Sequence, residues 1–114
     1  MKVIIAGSRT INDYQIVKDS ILESKFKITE IVSGGAKGPD KLGEQYAEEF
    51  NIPVKKFIPD WNREGKKAGI LRNIEMGNYA NALIAIWDGE SKGTKHMIQY
   101  ATKKELKVFT KITQ

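Results

Sequence analysis

Hydrophobic and polar positions alternate in blocks along this chain. The longest block is Ala82-Leu83-Ile84-Ala85-Ile86-Trp87, six residues without a charge and bounded by turn chemistry. Such a run predicts a strand buried on both faces. Beyond Asp88-Gly89-Glu90-Ser91-Lys92-Gly93, the residues Thr94, Met97, Ile98 and Ala101 fall on one helical stripe. The same order of strand, glycine turn and helix occurs twice earlier. Val3-Ile4-Ile5-Ala6 runs into Gly7-Ser8-Arg9, and Ile31-Val32-Ser33 runs into Gly34-Gly35-Ala36-Lys37-Gly38. Asn12 and Asp13 can cap a helix carrying Tyr14, Val17 and Ile21 on one side. Pro39 opens another with Leu42, Tyr46, Ala47 and Phe50, which Asn51-Ile52-Pro53 stops. Residues 54–58 predict the next strand, Pro59-Asp60-Trp61 a loop, 67–79 a helix, and 106–110 the last strand. Strand and helix alternating in this way imply right-handed crossovers and a parallel sheet with helices on both faces.

Strand polarity predicts the order within that sheet. The runs at 3–6 and 82–87 are fully apolar, whereas 54–58 contains Lys55 and Lys56 and the last strand contains Lys107. Lysines belong on edge strands. The order 3-2-1-4-5 puts the apolar strands at the centre and the lysine-bearing strands outside, while 2-1-3-4-5 would bury Lys55 and Lys56. The expectation is therefore a Rossmann-like α/β three-layer sandwich with a five-stranded parallel sheet of order 3-2-1-4-5. Its switch point falls between the first and fourth strands, where sheets of this kind bind ligands. The loops at 7–9 and 91–94 face each other there, with 34–38 next door.

Composition narrows the picture. At 114 residues the chain suits one domain spanning 1–114. No apolar run approaches the length needed to cross a bilayer, and Met1-Lys2 leads into a short strand rather than the long apolar stretch of a secretory leader. With no cysteine and a single histidine, His96, neither disulfides nor a metal centre is expected. A cytoplasmic location follows. The net charge of +5 raises the question of nucleic acid, but the lysine pairs 55–56, 66–67 and 103–104 are scattered among acids with no groove-reading motif. A net positive field favours a small anionic ligand instead.

The three glycine loops supply the candidate chemistry. Each brings backbone that a ligand can approach closely and one cation: Arg9, Lys37 or Lys92. Hydroxyls of Ser8, Ser91 and Thr94 add donors, and the 91–94 loop opens a helix whose first N–H groups suit an anion. The candidate ligand-binding residues are thus Gly7, Ser8, Arg9, Gly34, Gly35, Lys37, Ser91, Lys92, Gly93 and Thr94. Arg72 and Asn73 join them, because an arginine on a half-buried face commonly partners a carboxylate or phosphate. Trp61 joins as a surface on which a base could stack, although loop tryptophans more often pack on helices. Asp88 stands at the end of a central strand, where functional groups of such sheets collect. Asp88 and Glu75 are the candidate acid–base residues; Asp40 and Asp60 belong to segments near the same pocket. Trp87 is assigned to packing, and His96 to a surface or structural role.

As a set these motifs resemble the SLOG superfamily of Rossmann-like domains, and within it the small YspA-like proteins. The resemblance rests on Gly7-Ser8-Arg9, Ser33 through Asp40, Asp60-Trp61, Ala68-Gly69, Arg72-Asn73, Met76, and Trp87 through Thr94. It implies a domain that binds nucleotides or nucleotide-derived ligands, in an assembly of at least two copies. The related LOG phosphoribohydrolases carry a Pro-Gly-Gly-x-Gly-Thr-x-x-Glu loop. Arg72, Met76 and Gly93-Thr94 match that pattern, but Met97 stands at the position of the catalytic glutamate. A thioether neither accepts a proton nor stabilises an oxocarbenium-like centre.

The leading expectation is a protein that senses or sequesters a phosphate-containing, nucleotide-derived small molecule, such as an NAD-derived or cyclic signalling nucleotide. It needs no cofactor or metal, engages no membrane, and forms a homo-oligomer. A LOG-like hydrolase cleaving an N-glycosidic bond is the alternative. Single-stranded DNA binding, as in the distantly related DprA proteins, is a second, which the dispersed lysines disfavour.

Overall fold

The computed structural model describes residues 1–113. The two apolar runs lie side by side, β1 (Lys2–Gly7) against β4 (Ala82–Trp87), with Val3 opposite Ala82 and Gly7 opposite Ile86. β2 (Glu30–Ser33) pairs on the other side of β1, β3 (Val54–Lys56) beyond it, and β5 (Lys107–Ile112) outside β4. All neighbours run parallel, and the order is β3-β2-β1-β4-β5. The lysine argument holds in detail: Lys55, Lys56 and Lys107 sit on the two edge strands and are exposed.

The central strands alternate their side chains between two cores, one on each face. Val3, Ile5, Ile84 and Ile86 pack with Val17 and Ile21 of α1 (Tyr14–Ser24) and Ala47 of α2 (Pro39–Glu49). Ile4, Ala6, Leu83 and Ala85 pack with Met76 of α4 (Ala68–Tyr79) and Met97 and Ala101 of α5 (Lys92–Lys103). Ile4, Ile5, Leu83, Ile84 and Ile86 are wholly buried; each contributes roughly 1.5–3 kcal/mol of burial free energy. This is why six uncharged residues in a row form a central strand. Among the described residues, no helix is long and apolar enough to cross a membrane.

Three elements differ from the sequence expectation: β5 runs over Lys107–Ile112, two residues past its expected end, and the other two lie at the β3 edge of the sheet. β3 ends at Lys56, and Ile58 is exposed. Trp61 is not in a loop. It opens a short helix, α3 (Trp61–Glu64), capped by Asp60, whose carboxylate accepts from Arg63 N–H at 3.1 Å. A helical turn at 65–67 then leads into α4. The Asp60 cap is a local hydrogen bond, and it outweighs the turn signal of Pro59.

Candidate functional site

The C-terminal tips of β1 and β4 part above Ser8. Ser8 N–H donates to Ile86 O at 3.0 Å, and Ser8 Oγ accepts from Asp88 N–H at 3.0 Å. Ser8 is therefore buried behind the crevice, tying its two walls together. Gly7 has no room for a side chain, because a Cβ would strike the Ile86 carbonyl and the Pro39 ring. Arg9, exposed, follows on the cleft side.

The loop after β2 is held from beneath. Ser33 Oγ accepts from Gly35 N–H at 3.1 Å and donates to Glu44 Oε2 at 2.6 Å. Asp40, in the first turn of α2, accepts from Ala36 N–H at 3.4 Å. Arg72 on α4 reaches across to donate from Nη1 to Gly34 O, and from Nε to Asn73 Oδ1 at 3.1 Å. The Gly34 backbone lies so close to Arg72 and Asp40 that a Cβ would collide with both. Burial lowers the pKa of Arg72, with Arg9 acting in the same direction and Asp40 against it. Burial pushes the Asp40 carboxyl up to about 6, against the opposing pull of Arg72 and of the Ala36 and Gly34 N–H groups.

The loop after β4 is an N-cap built on an aspartate turn. Asp88 Oδ1 accepts from Glu90 N–H and Ser91 N–H, both at 2.8 Å, and these bonds hold its carboxyl below the usual range. Ser91 caps α5 through Thr94 N–H at 3.4 Å, and Trp87 Nε1 fixes the turn by donating to Ser91 O at 3.0 Å. Asn73 Nδ2 meets Gly93 O and His96 Nδ1, each at 3.2 Å. One polar network thus joins the β2 loop, α4 and the start of α5.

These loops enclose a cleft of about 300 Å³. Ala6, Met76 and Met97 give it an apolar lining; Trp61 and Ile70 are half exposed in its wall; Arg9, Lys66, Arg72 and Lys92 bring cations to it. Of the expected ligand-binding residues, Gly7, Arg9, Trp61, Arg72, Asn73, Ser91, Lys92, Gly93 and Thr94 line this cleft. Ser8 and Gly34 lie buried behind it. Gly35 and Lys37 belong to the adjoining loop outside its lining. Asp88 faces a separate recess with Thr10, Ile11 and Thr113, and Glu75 is exposed on α4. Neither candidate acid–base residue borders the cleft.

The sequence places Asp40 only near the pocket, assigns His96 a surface or structural role and leaves Lys66 among the scattered lysine pairs. Asp40 lines the cleft and is the carboxylate among the lining side chains; His96 and Lys66 line it as well. Asp40 carried a signal, its place directly after Pro39 beside the glycine loop. His96 carried a weaker one, its position three residues beyond Gly93 on α5. Met97 is buried in the core, as its helical stripe predicts, and the same side chain reaches the cleft. Among the described residues, no three His, Asp or Glu side chains converge as metal ligands.

Comparison with known proteins agrees with this architecture. The sequence profile of the YspA, cpYpsA-related SLOG family matches residues 1–63. The Gene 61 protein of Mycobacterium phage D29 is 37% identical, over 90% of this chain and 89% of its own length. The structure of DNA processing protein A (DprA) from Streptococcus pneumoniae superposes with a TM-score of 0.77 over 96% of this chain. At 20% identity that likeness is one of fold, and this chain spans 49% of the DprA chain. The chain belongs to the YspA, cpYpsA-related SLOG family.

Proposed function

We propose that this SLOG-family chain binds a nucleotide-derived, phosphate-containing small molecule, and senses or sequesters it rather than turning it over. The observation that carries the reading is the convergence of Arg9, Lys66, Arg72 and Lys92 on one cleft with an apolar lining, at the switch point of the sheet. A phosphate fits at the start of α5, where the first N–H groups of the helix have no partner within the helix. Arg72 spends Nε and one Nη1 bond on Asn73 and Gly34, which leaves further guanidinium donors for an oxyanion. A base fits against Trp61, half of whose surface is open; stacking there contributes on the order of 1–3 kcal/mol. The volume of about 300 Å³ is at the lower end for small-molecule sites.

Binding without turnover is favoured by where the two expected acid–base residues lie, while Asp40, the carboxylate that does line the cleft, accepts from Ala36 N–H and faces Arg72. Asp88 is committed to its turn and Glu75 faces solvent, so neither is within reach of a glycosidic bond held in the cleft. Self-association goes with the reading, since Trp61, Ile70 and Leu71 leave apolar surface exposed along the cleft and beside it. Light scattering is expected to report a dimer or larger; a monomer at high micromolar concentration removes that part of the proposal. The ligand itself is tested by mass spectrometry of what co-purifies, followed by incubation with NAD-derived, cyclic and mononucleotides and chromatography for products. Retention of an unaltered nucleotide is the expected result. Released base or ribose phosphate would establish the hydrolase instead.

A further inference from the structure

The side chain of Asn73 is nearly buried, 6% exposed, and its contacts fix the protonation of a neighbour. Arg72 Nε–H can only donate, so the carboxamide atom 3.1 Å from it is the oxygen. The Gly93 carbonyl can only accept, so the atom 3.2 Å from it is the nitrogen. Both ends of the amide are thereby assigned. The second N–H of Nδ2 then points at His96 Nδ1, 3.2 Å away. A donor facing Nδ1 requires a lone pair there, and the ring proton must reside on Nε2. Protonating Nδ1 would set one N–H against another.

We propose that His96 is a ligand-binding residue, locked by Asn73 as the neutral Nε2–H tautomer and offering that single donor to a phosphate oxygen. This rests on the nucleotide reading above. His96 lines the cleft on the first turns of α5, beside Gly93, Arg72 and Lys92, where the phosphate is placed. Its ring plane is held by stacking on Tyr100, with centroids 6.3 Å apart and an interplanar angle of 16°. With Nδ1 engaged, Nε2 is the only polar atom left to the ring. The charged groups sharing the cleft, Arg9, Lys66, Arg72 and Lys92, are cations that oppose an imidazolium; Asp40 is engaged by Ala36 N–H and faces Arg72. Burial lowers the His96 pKa in the same sense. Before an anion binds, the site therefore favours the neutral ring with its single N–H on Nε2, and His96 contributes direction to the contact.

The chain has one histidine, so nitrogen-15 long-range correlation spectra of the full protein report this ring alone. The free protein at neutral pH is expected to show a protonated Nε2 and an unprotonated Nδ1, with a titration midpoint below the ordinary 6.5. In Asn73→Asp the carboxylate accepts from Nδ1, so the proton moves to Nδ1 and the midpoint rises. Saturating AMP or inorganic phosphate shifts Nε2, whereas adenosine does not. His96→Phe keeps the stacking on Tyr100 but weakens AMP binding about tenfold or more. An Nδ1–H or mixed tautomer in the wild-type protein overturns the lock, whatever the variant does. An unmoved Nε2 when calorimetry shows AMP bound overturns the ligand role. Absence of binding by AMP and phosphate alike counts against the nucleotide reading and the ligand role together, while the free-protein tautomer still decides the lock.

Discussion

Asp40 pairs a buried carboxyl with a cleft made of cations, and its 3% exposure raises its pKa from 3.8 to about 6. The folded state holds this proton more tightly than the unfolded chain does. Asp40 therefore favours folding below about pH 3.8, and that contribution is lost as pH rises through about 6. Two units are worth roughly 3 kcal/mol. Asp40→Asn keeps an acceptor for Ala36 N–H and removes the charge, so urea denaturation between pH 4 and 7 should show a flatter stability profile than wild type; an unchanged slope assigns the titration elsewhere. Met97 supplies the opposite test. It is 1% exposed in the core beneath the cleft, so Met97→Glu should destabilise by several kcal/mol unless the carboxyl is neutral or reaches Arg72, and should not create turnover. A Met97→Glu protein as stable as its parent shows that the cleft side of this position accepts a carboxylate and reopens the hydrolase reading. The sequence brings Asp40 near the pocket and assigns His96 a structural role, without their parts in the cleft, for one reason. Each depends on a contact across the fold, to the β2 loop and to Asn73, that local spacing does not encode.

Helices and strands were legible where a single signal dominated. The apolar runs fixed the central strands, Asp13 and Pro39 marked the starts of α1 and α2, and the lysines of β3 and β5 marked the edges. Legibility failed at 57–67, where apolar Phe57 and Ile58 extend a strand pattern beyond the last residue that pairs with β2, and where the Asp60 cap turns a predicted loop into α3. The start of α5 combines structure and site. Ser91 Oγ satisfies Thr94 N–H and its backbone oxygen accepts from Trp87 Nε1, so one residue sets the position of Lys92 and Gly93. Ser91→Ala should cost about 1 kcal/mol of stability and loosen the anion site. Chemical denaturation alongside nucleotide titration checks this, and a loss of stability with affinity untouched would separate the cap from the site.

For the whole molecule, the deciding property is how +5 of net charge is distributed. Four cations converge on the cleft, while Lys55 and Lys107 on the edge strands are exposed and Lys56 and Lys111 pair with Glu44 and Glu23. That arrangement suits a compact phosphate compound better than an extended polyanion. Fold and strand order could be read from the chain because burial imposes them on local composition. The ligand could not, because the cleft that would select it is assembled from five separate segments. The most direct measurement is calorimetric titration in 50 and 200 mM salt of nucleotides and of a single-stranded oligonucleotide into wild type and Lys92→Ala. Lys92 is exposed, so its loss should leave the fold intact and weaken nucleotide binding about tenfold. The account predicts that nucleotide affinity falls only modestly in the higher salt and that oligonucleotide binding vanishes, since a protein contacting six to ten phosphates of a single strand loses about 10²–10⁴ in affinity over that range. Tight oligonucleotide binding that persists in 200 mM salt, with no heat from mononucleotides, dinucleotides or cyclic nucleotides, would contradict it.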